Sequence, residues 1–236
     1  MKVSDLYRWH IAAFDENRNK IEAYYIHFLI QFWSEELNKK YKTILDIPCG
    51  VGRHHSYLRK FGYEVYGVDI SEELIKIAKN NNKSYENYYF IGDMRNFKLD
   101  KKVDIVLNWF TSFGYFDDED NIKTIRNFYE NMNKDGLLIL EYTNYLTYPI
   151  NQTIVFDYGN IIEISTLIPI DNKYVVFHDK YYKKDNNDLI FLEECKIKVR
   201  AYSLEDITKI LEENNFKVLK VFRTLSFSNF NKLRDN

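Results

Sequence analysis

Between Lys42 and Leu146, short apolar runs alternate with stretches whose apolar residues recur every three or four positions. The runs Thr43–Ile47, Glu64–Val68, Tyr88–Ile91, Val103–Asn108 and Leu137–Tyr142 are too short for helices, and several are rich in Val, Ile or Tyr. They predict five strands. Between them, Ser71 before Glu72 and Glu73 reads as a helix N-cap with acid in the first turn, with Leu74, Ile77 and Ala78 as its apolar stripe. Asp117, Asp118, Glu119 and Asp120 load the start of another helix, whose buried face is expected at Ile122, Ile125, Tyr129 and Met132. Strand–helix alternation of this kind implies right-handed βαβ units and a parallel sheet.

The pattern differs on either side. From Tyr7 to about Leu37 the spacing is helical, with Ile21, Tyr24, Phe28, Leu29 and Phe32 on one face. After Asn144 four strands are expected, at Thr153–Asp157, Ile161–Ile170, Lys173–Tyr182 and Leu189–Tyr202, separated by turn clusters. In the last, Cys195, Ile197, Val199 and Ala201 alternate with Lys196, Lys198 and Arg200, as on a half-buried antiparallel strand, so Cys195 is read as a small core residue. Ser203-Leu204-Glu205-Asp206 starts a last helix with Leu204, Ile207, Ile210 and Leu211 on one face, and Phe216–Phe222 is expected to return to the main sheet.

Composition narrows the classes. Lys+Arg 33 against Asp+Glu 35 gives a net charge of -2, so no overall basic field attracts nucleic acid. No run approaches the roughly 18 apolar residues of a membrane span, and the opening MKVSDLYRWH has no apolar signal region. A soluble, cytoplasmic protein is the expectation. Two cysteines, Cys49 and Cys195, make no disulfide framework. The 20 Tyr and 17 Phe accompany abundant Asn, Lys and Ile, all with A/T-rich codons, so their number singles out no aromatic. Glycine is informative. Of 8, four (Gly50, Gly52, Gly62, Gly67) fall between positions 50 and 67, and glycine is kept where backbone turns tightly or approaches something closely.

The first predicted strand runs into Asp46-Ile47-Pro48-Cys49-Gly50-Val51-Gly52-Arg53-His54, and Asp69 ends the next. This is the layout of a nucleoside-binding βαβ unit, in which glycines admit the ligand and an acid accepts from ribose hydroxyls. Dinucleotide folds place a third small residue three positions after the second glycine; here that position is the bulky His55. Asp46 is poorly suited to a pyrophosphate and well suited to an α-amino group. S-adenosylmethionine, with a ribose, an adenine, a sulfonium and an amino-acid end, fits better than NAD.

At these residues the chain resembles the class I S-adenosylmethionine-dependent methyltransferases. Motif I is Ile44–Gly52 and motif II Val65–Ser71; Gly92-Asp93-Met94-Arg95 looks like the adenine-side segment, and Asn133–Gly136 with Leu137–Glu141 like the turn and fifth strand. The resemblance implies a Rossmann-like α/β sheet with helices on both faces, an N-terminal helical segment and an inserted antiparallel β block. It implies one domain over 1–236: an N-terminal helical cap (1–41), a cofactor-binding core (42–145), the insertion (146–202), and a returning helix and strand (203–236). Asp46 and Gly50 would hold the methionine end, Gly52 would allow close approach, Asp69 would bind the ribose, and Asp93 with the Met94 backbone would read the adenine. Pro48, Cys49, Arg53, Ile70 and Asn108 complete the implied cofactor set. The product would be S-adenosylhomocysteine.

Thr111–Phe116, the opening Tyr7 with Phe14-Asp15, and the long insertion are similar to amino-sugar N,N-dimethyltransferases. Phe14 departs from that pattern, standing where the second tyrosine would be. Methyl transfer from a sulfonium asks the protein mainly to align the reactants and exclude water; an amine must also lose a proton. Tyr7, His10, Tyr115 and His178 are candidates by type, and Tyr7 and Tyr115 are preferred. Trp109 and Phe110 are expected to line the acceptor pocket. Enzymes methylating exocyclic amines of bases or glutamine amides carry an Asn/Asp-Pro-Pro-aromatic segment there, whereas this chain has Asn108-Trp109-Phe110-Thr111, so a nucleic-acid substrate is not expected. His54 and His55 have no companion ligands at metal-binding spacing, so no metal is expected. The reading is methyl transfer to a small molecule at nitrogen, by a monomer or homodimer without a membrane partner. An NAD-type oxidoreductase and a non-catalytic adapter with a retained cofactor fold are the alternatives. The N-terminal segment around Tyr7 and the stretch Tyr158–Ile170 are expected to close over the acceptor.

Overall fold

The computed structural model describes residues 16–142 and 152–222. Tyr7, His10, Phe14 and Asp15 lie outside them, as does residue 146, where the insertion was expected to begin. Five strands, β1 (Thr43–Asp46), β2 (Glu64–Asp69), β3 (Tyr89–Ile91), β4 (Val103–Asn108) and β5 (Met132–Leu140), form one sheet in the order β3-β2-β1-β4-β5. Every pairing is parallel. The central strands read as near-continuous apolar runs because both faces are covered. Ile44, Val65, Ile105, Leu107, Leu137 and Ile139 meet Ala23, Ile26, Leu29 and Ile30 of α1 (Glu16–Glu36) and Leu58 of α2 (His55–Lys60). The other face, with Leu45, Tyr66, Val68 and Val106, packs against Ile125 and Phe128 of α4 (Asp118–Asn131) and Ile207 of α5 (Leu204–Glu213). Between them α3 (Glu72–Asn81) buries Ile75 and Ala78 against Cys49 and Tyr89.

Helix starts follow the local chemistry. The Ser71 hydroxyl caps α3 at Leu74 N, and the Asp117 carboxylate caps α4 at Asp120 N. Ser203 and Asp206 complete a reciprocal capping box on α5. Two predicted faces are corrected. Ile21 and Tyr24 of α1 are 46% and 43% exposed; the helix is turned so that Glu22, one turn before buried Ile26, points at the loop after β1. On α4, Tyr129 is exposed and Met132 belongs to β5, while Asn121, Asn127 and Asn131 are buried. Their amides donate to the backbone carbonyls of Phe116, Met94 and Phe97, which apolar periodicity cannot reveal. The strand start expected at Leu137 moves to Met132, because Val103 pairs with Met132 and Ile105 with Leu137 across a bulge containing left-handed Asp135.

The second sheet is antiparallel, in the order β6 (Thr153–Asp157), β7 (Ile161–Pro169), β8 (Tyr174–Asp185), β9 (Asp188–Arg200). Its inner face carries Leu167, Val175, Tyr181, Cys195, Ile197 and Val199, with Tyr115 and Tyr142 packed against it. Arg200 N donates to Gly114 O, and Tyr202 N to the Tyr142 hydroxyl, tying the end of β9 to the loop after β4. Residues 216–222 form no strand, contrary to expectation; Phe216 instead packs edge-on against Tyr129 of α4. No described helix is long and apolar enough to cross a membrane.

Candidate active site

The strand order reverses between β1 and β4, and ligands of open α/β sheets bind at the carboxyl ends of the strands beside such a point. There the structure has a cleft lined by Asp46, Pro48, Cys49, Gly50, Val51, Arg53, His54, Asp69, Leu74, Trp109, Phe110 and Ser112. It joins the glycine loop to the segment after β4. The loop is pinned at both ends: Ile47 N donates to Leu107 O at 3.0 Å, and Cys49 N to Val68 O at 2.8 Å. Gly50 has φ +54°, and a Cβ there would meet no atom within 4 Å, because it faces open cleft. Gly52 has φ +65°, yet its close neighbours are internal, with a Cβ placed 2.9 Å from the Tyr89 ring.

Asp46 and Asp69 occupy the carboxyl ends of adjacent strands and are both buried. Asp69 Oδ2 accepts from Gly50 N and Oδ1 from Ser71 N, each at 2.9 Å. Burial raises its pKa above the usual carboxylate value, and these donors work in the opposite direction. Asp46 Oδ2 is 2.9 Å from His55 Nε2, and His55 Nδ1 is 2.9 Å from the Tyr89 hydroxyl. Assigning the proton to Nε2 satisfies both contacts, with the imidazole donating to Asp46 and accepting from Tyr89. His55 is fully buried and stacked on Tyr89, with centroids 5.2 Å apart. Asp46 Oδ1 is buried with no hydrogen-bond partner.

The opposite wall is organised by Glu22 of α1. Its Oε2 accepts from Arg53 Nη2 at 2.5 Å, from His54 Nε2 at 3.0 Å and from Trp109 Nε1 at 3.0 Å. Its Oε1 accepts from Arg18 Nε at 2.8 Å. Burial alone would raise the Glu22 pKa; the His54, Arg53 and Arg18 donors outweigh it and hold the carboxyl far below its usual range. Arg53 also donates to Asn19, so it is engaged by α1. Phe110 and Thr111 have φ values of +63° and +54°, which few non-glycine residues adopt. The Arg18 and Arg53 guanidiniums lie 5.4 and 5.2 Å from the Phe110 ring centroid, and Phe110 N donates to Glu141 Oε2 at 2.5 Å.

Thus Asp46, Pro48, Cys49, Gly50, Arg53, Asp69, Trp109 and Phe110 of the expected set line one cleft. The others stand around it. Asn108 is buried behind the loop, donating to Ile47 O at 2.7 Å. Ile70 is 58% exposed after β2, and Met94 is buried in the core. The Asp93 carboxylate is clamped by Arg95, which also reaches Asp120. Tyr115 packs between the two sheets and does not line the cleft. His178, on β8, pairs with Glu194. Sequence reasoning missed Glu22 and Glu141 and treated His55 only as an excluded glycine. The position of Glu141 at the carboxyl end of β5 was a usable signal; the lateral contacts of Glu22 and His55 left none.

The cleft offers carboxylates and backbone amides in the places that suit a nucleoside joined to an amino acid. The unpaired Asp46 Oδ1 is an acceptor for an ammonium group, and Asp69 is placed for vicinal hydroxyls. Fold and cleft define a class I S-adenosylmethionine-dependent methyltransferase. The chain belongs to a family described as methyltransferase domain, whose model matches residues 14–221. It is similar to the dTDP-3-amino-3,4,6-trideoxy-α-D-glucopyranose N,N-dimethyltransferase of Streptomyces venezuelae, at 27% identity over 42% of this chain and 41% of that protein. A glycine/sarcosine N-methyltransferase of Aphanothece halophytica is 30% identical over 61% of this chain and 52% of that one. The chain therefore spans about half or less of the length of these two relatives. Among solved structures, Streptomyces venezuelae DesVI superposes with a TM-score of 0.71 at 16% identity, covering 91% of this chain and 90% of that one. An S-adenosylmethionine-dependent methyltransferase from Clostridium acetobutylicum gives a TM-score of 0.68 at 21% identity, covering 82% and 85%. The dinucleotide alternative is set aside by this membership.

Proposed function

We propose that the protein transfers a methyl group from S-adenosylmethionine to the nitrogen of a small-molecule amine. The observation that carries this reading is the character of the cleft beyond the glycine loop. Trp109 and Phe110 line it with aromatic rings, and the carboxylates Glu22 and Glu141 are bonded to these two residues, at Trp109 Nε1 and Phe110 N. Aromatic faces and carboxylates together suit a cationic or amine-bearing molecule. The names of the amino-sugar and glycine/sarcosine relatives agree with such an acceptor. In this reading Asp46 and Gly50 hold the methionine end and Asp69 the ribose, with Pro48, Cys49 and Ile70 along the cofactor. The Met94 backbone and Asp93 lie toward the adenine, Asp93 keeping its Arg95 partner. Arg53 and Asn108 act one step removed, Arg53 by anchoring α1 and Asn108 by fixing the Ile47 carbonyl. Tyr7 belongs to the acceptor side, and Tyr115 holds the loop after β4 against the second sheet. The antiparallel sheet is an insertion within a single domain, in keeping with the Gly114–Arg200 and Tyr142–Tyr202 bonds.

Incubation with methyl-labelled S-adenosylmethionine and separate amine and hydroxyl acceptors tests the reaction. dTDP-3-amino-3,6-dideoxy-α-D-glucopyranose, glycine and sarcosine serve as amines and a catechol as the hydroxyl acceptor. Label on nitrogen is the expected result. Transfer to the catechol oxygen with no transfer to any amine contradicts the reading.

A further inference from the structure

We propose that Glu141 accepts the proton that the acceptor nitrogen sheds on methylation, an inference that rests on the amine reading above. Glu141 follows β5 directly, and its backbone N–H donates to Asn108 O at 2.9 Å, which sets it beside the carboxyl end of β4. That is the end of the sheet where the cleft lies. One carboxylate oxygen, Oε2, is fixed by the Phe110 amide at 2.5 Å. That amide is presented by two consecutive left-handed residues, Phe110 and Thr111. Strain of this kind persists only where the surroundings enforce it and gathers at functional sites. The other oxygen, Oε1, makes no hydrogen bond or ion pair among the described residues. The carboxylate is thus oriented at one oxygen and unpaired at the other, next to Phe110, which lines the cleft.

The neighbouring groups are less suited to the task. Glu22 already accepts four donors from Arg18, Arg53, His54 and Trp109 and stays ionised, so it is a weak base. His54 is spent on Glu22. Asp46 and Asp69 are taken up in the reading above by the ammonium group and the ribose of the cofactor, besides their bonds to His55 and Gly50. Glu141 differs in kind. Burial raises its pKa, with the Phe110 N–H opposing; Glu22 on α1 raises it further, and Arg53 and Arg18 lower it. A raised carboxyl is the better proton acceptor near neutral pH. As the nitrogen–carbon bond forms and the carbon–sulfur bond breaks with its pair kept by sulfur, the nitrogen loses one proton to Oε1, which passes it to water.

The test uses the full chain, with Glu141→Gln, whose amide oxygen still accepts from Phe110 N, and Glu141→Asp as the conservative variant. Calorimetry with S-adenosylhomocysteine comes first; both variants should bind within about twofold of wild type, and failure of the wild type to bind removes the underlying reading rather than this one. With dTDP-3-amino-3,6-dideoxy-α-D-glucopyranose and sarcosine as acceptors, Glu141→Gln should lose about 100-fold or more in kcat. It should also lose the rise of rate with pH that the wild type shows, and Glu141→Asp should regain part of both. Carbon-13 carboxyl NMR of the S-adenosylhomocysteine complex reads the same group without turnover, and decides alone if neither acceptor is methylated. A Glu141 resonance titrating above the ordinary glutamate range supports the proposal. Titration in or below that range, or a Glu141→Gln kcat within threefold of wild type, overturns it.

Discussion

His55 illustrates how a single side chain changes meaning between sequence and structure. It stands where dinucleotide folds keep a small residue, and its bulk fills the space between Asp46 and Tyr89 that a smaller residue would leave. Its role is to hold one oxygen of Asp46 so that the other faces the cleft. Replacing it with Ala leaves the Asp46 carboxylate and the Tyr89 hydroxyl buried with lost partners, a destabilisation of about 2–4 kcal/mol. His55→Gln keeps a donor and should recover part of it. S-adenosylhomocysteine affinity should fall in parallel, about tenfold for His55→Ala; unchanged affinity in a folded variant would reduce His55 to packing. Gly50→Val is expected to abolish cofactor binding, because the new Cβ projects into open cleft and the left-handed φ adds roughly 1–2 kcal/mol of strain. Thermal melting should show only that modest loss, and near-normal calorimetric binding would disprove the loop's assignment. Asp46, Gly50 and Asp69 were legible in sequence because strand ends and glycine spacing fix them locally. Glu22 was not, since its partners Arg53 and Trp109 are separated from it by 31 and 87 positions.

At the scale of elements, strands were read more securely than helix faces. A buried parallel strand needs only a short apolar run, and four of the five core strands lie within one residue of expectation at each end. Helix faces misled where polar side chains were buried for a purpose: three asparagines bolt α4 to backbone carbonyls, and Glu22 turns α1 toward the cleft. The α1 contact has a pH signature. The folded-state pKa of Glu22 is depressed, so the unfolded chain binds more protons as pH falls through about 4.3. The stability this carboxylate contributes is therefore complete above that pH and drains away as the solution is made more acidic. Urea unfolding between pH 3 and 7 should show a steep acid limb in the wild type and a shallower one in Glu22→Gln. Glu22→Ala leaves the buried Arg53 guanidinium without its carboxylate and should cost about 3 kcal/mol at neutral pH. Coincident acid limbs for wild type and Glu22→Gln would show that this network does not secure α1.

For the whole molecule, the parallel sheet builds the cleft and the antiparallel sheet is joined to it through Gly114, Tyr142, Arg200 and Tyr202. Burial pushes the Tyr142 phenol up to about 12, keeping it protonated while it accepts from Tyr202 N. Tyr142→Phe leaves that N–H without its acceptor and should cost about 1–3 kcal/mol, seen as a lower melting temperature; an unchanged value would mean the joint lies elsewhere. Such a joint was invisible in sequence, where the two sheets appear only as a change of period near Asn144. We propose that the cleft between β1 and β4 binds S-adenosylmethionine through Asp46 and Asp69, and calorimetry of S-adenosylhomocysteine with wild type and Asp69→Ala tests this. Micromolar binding by the wild type is expected, with a loss of about 1.5–3 kcal/mol, roughly 10- to 150-fold, when the charged acceptor is removed. Equal affinity of the two proteins would contradict it.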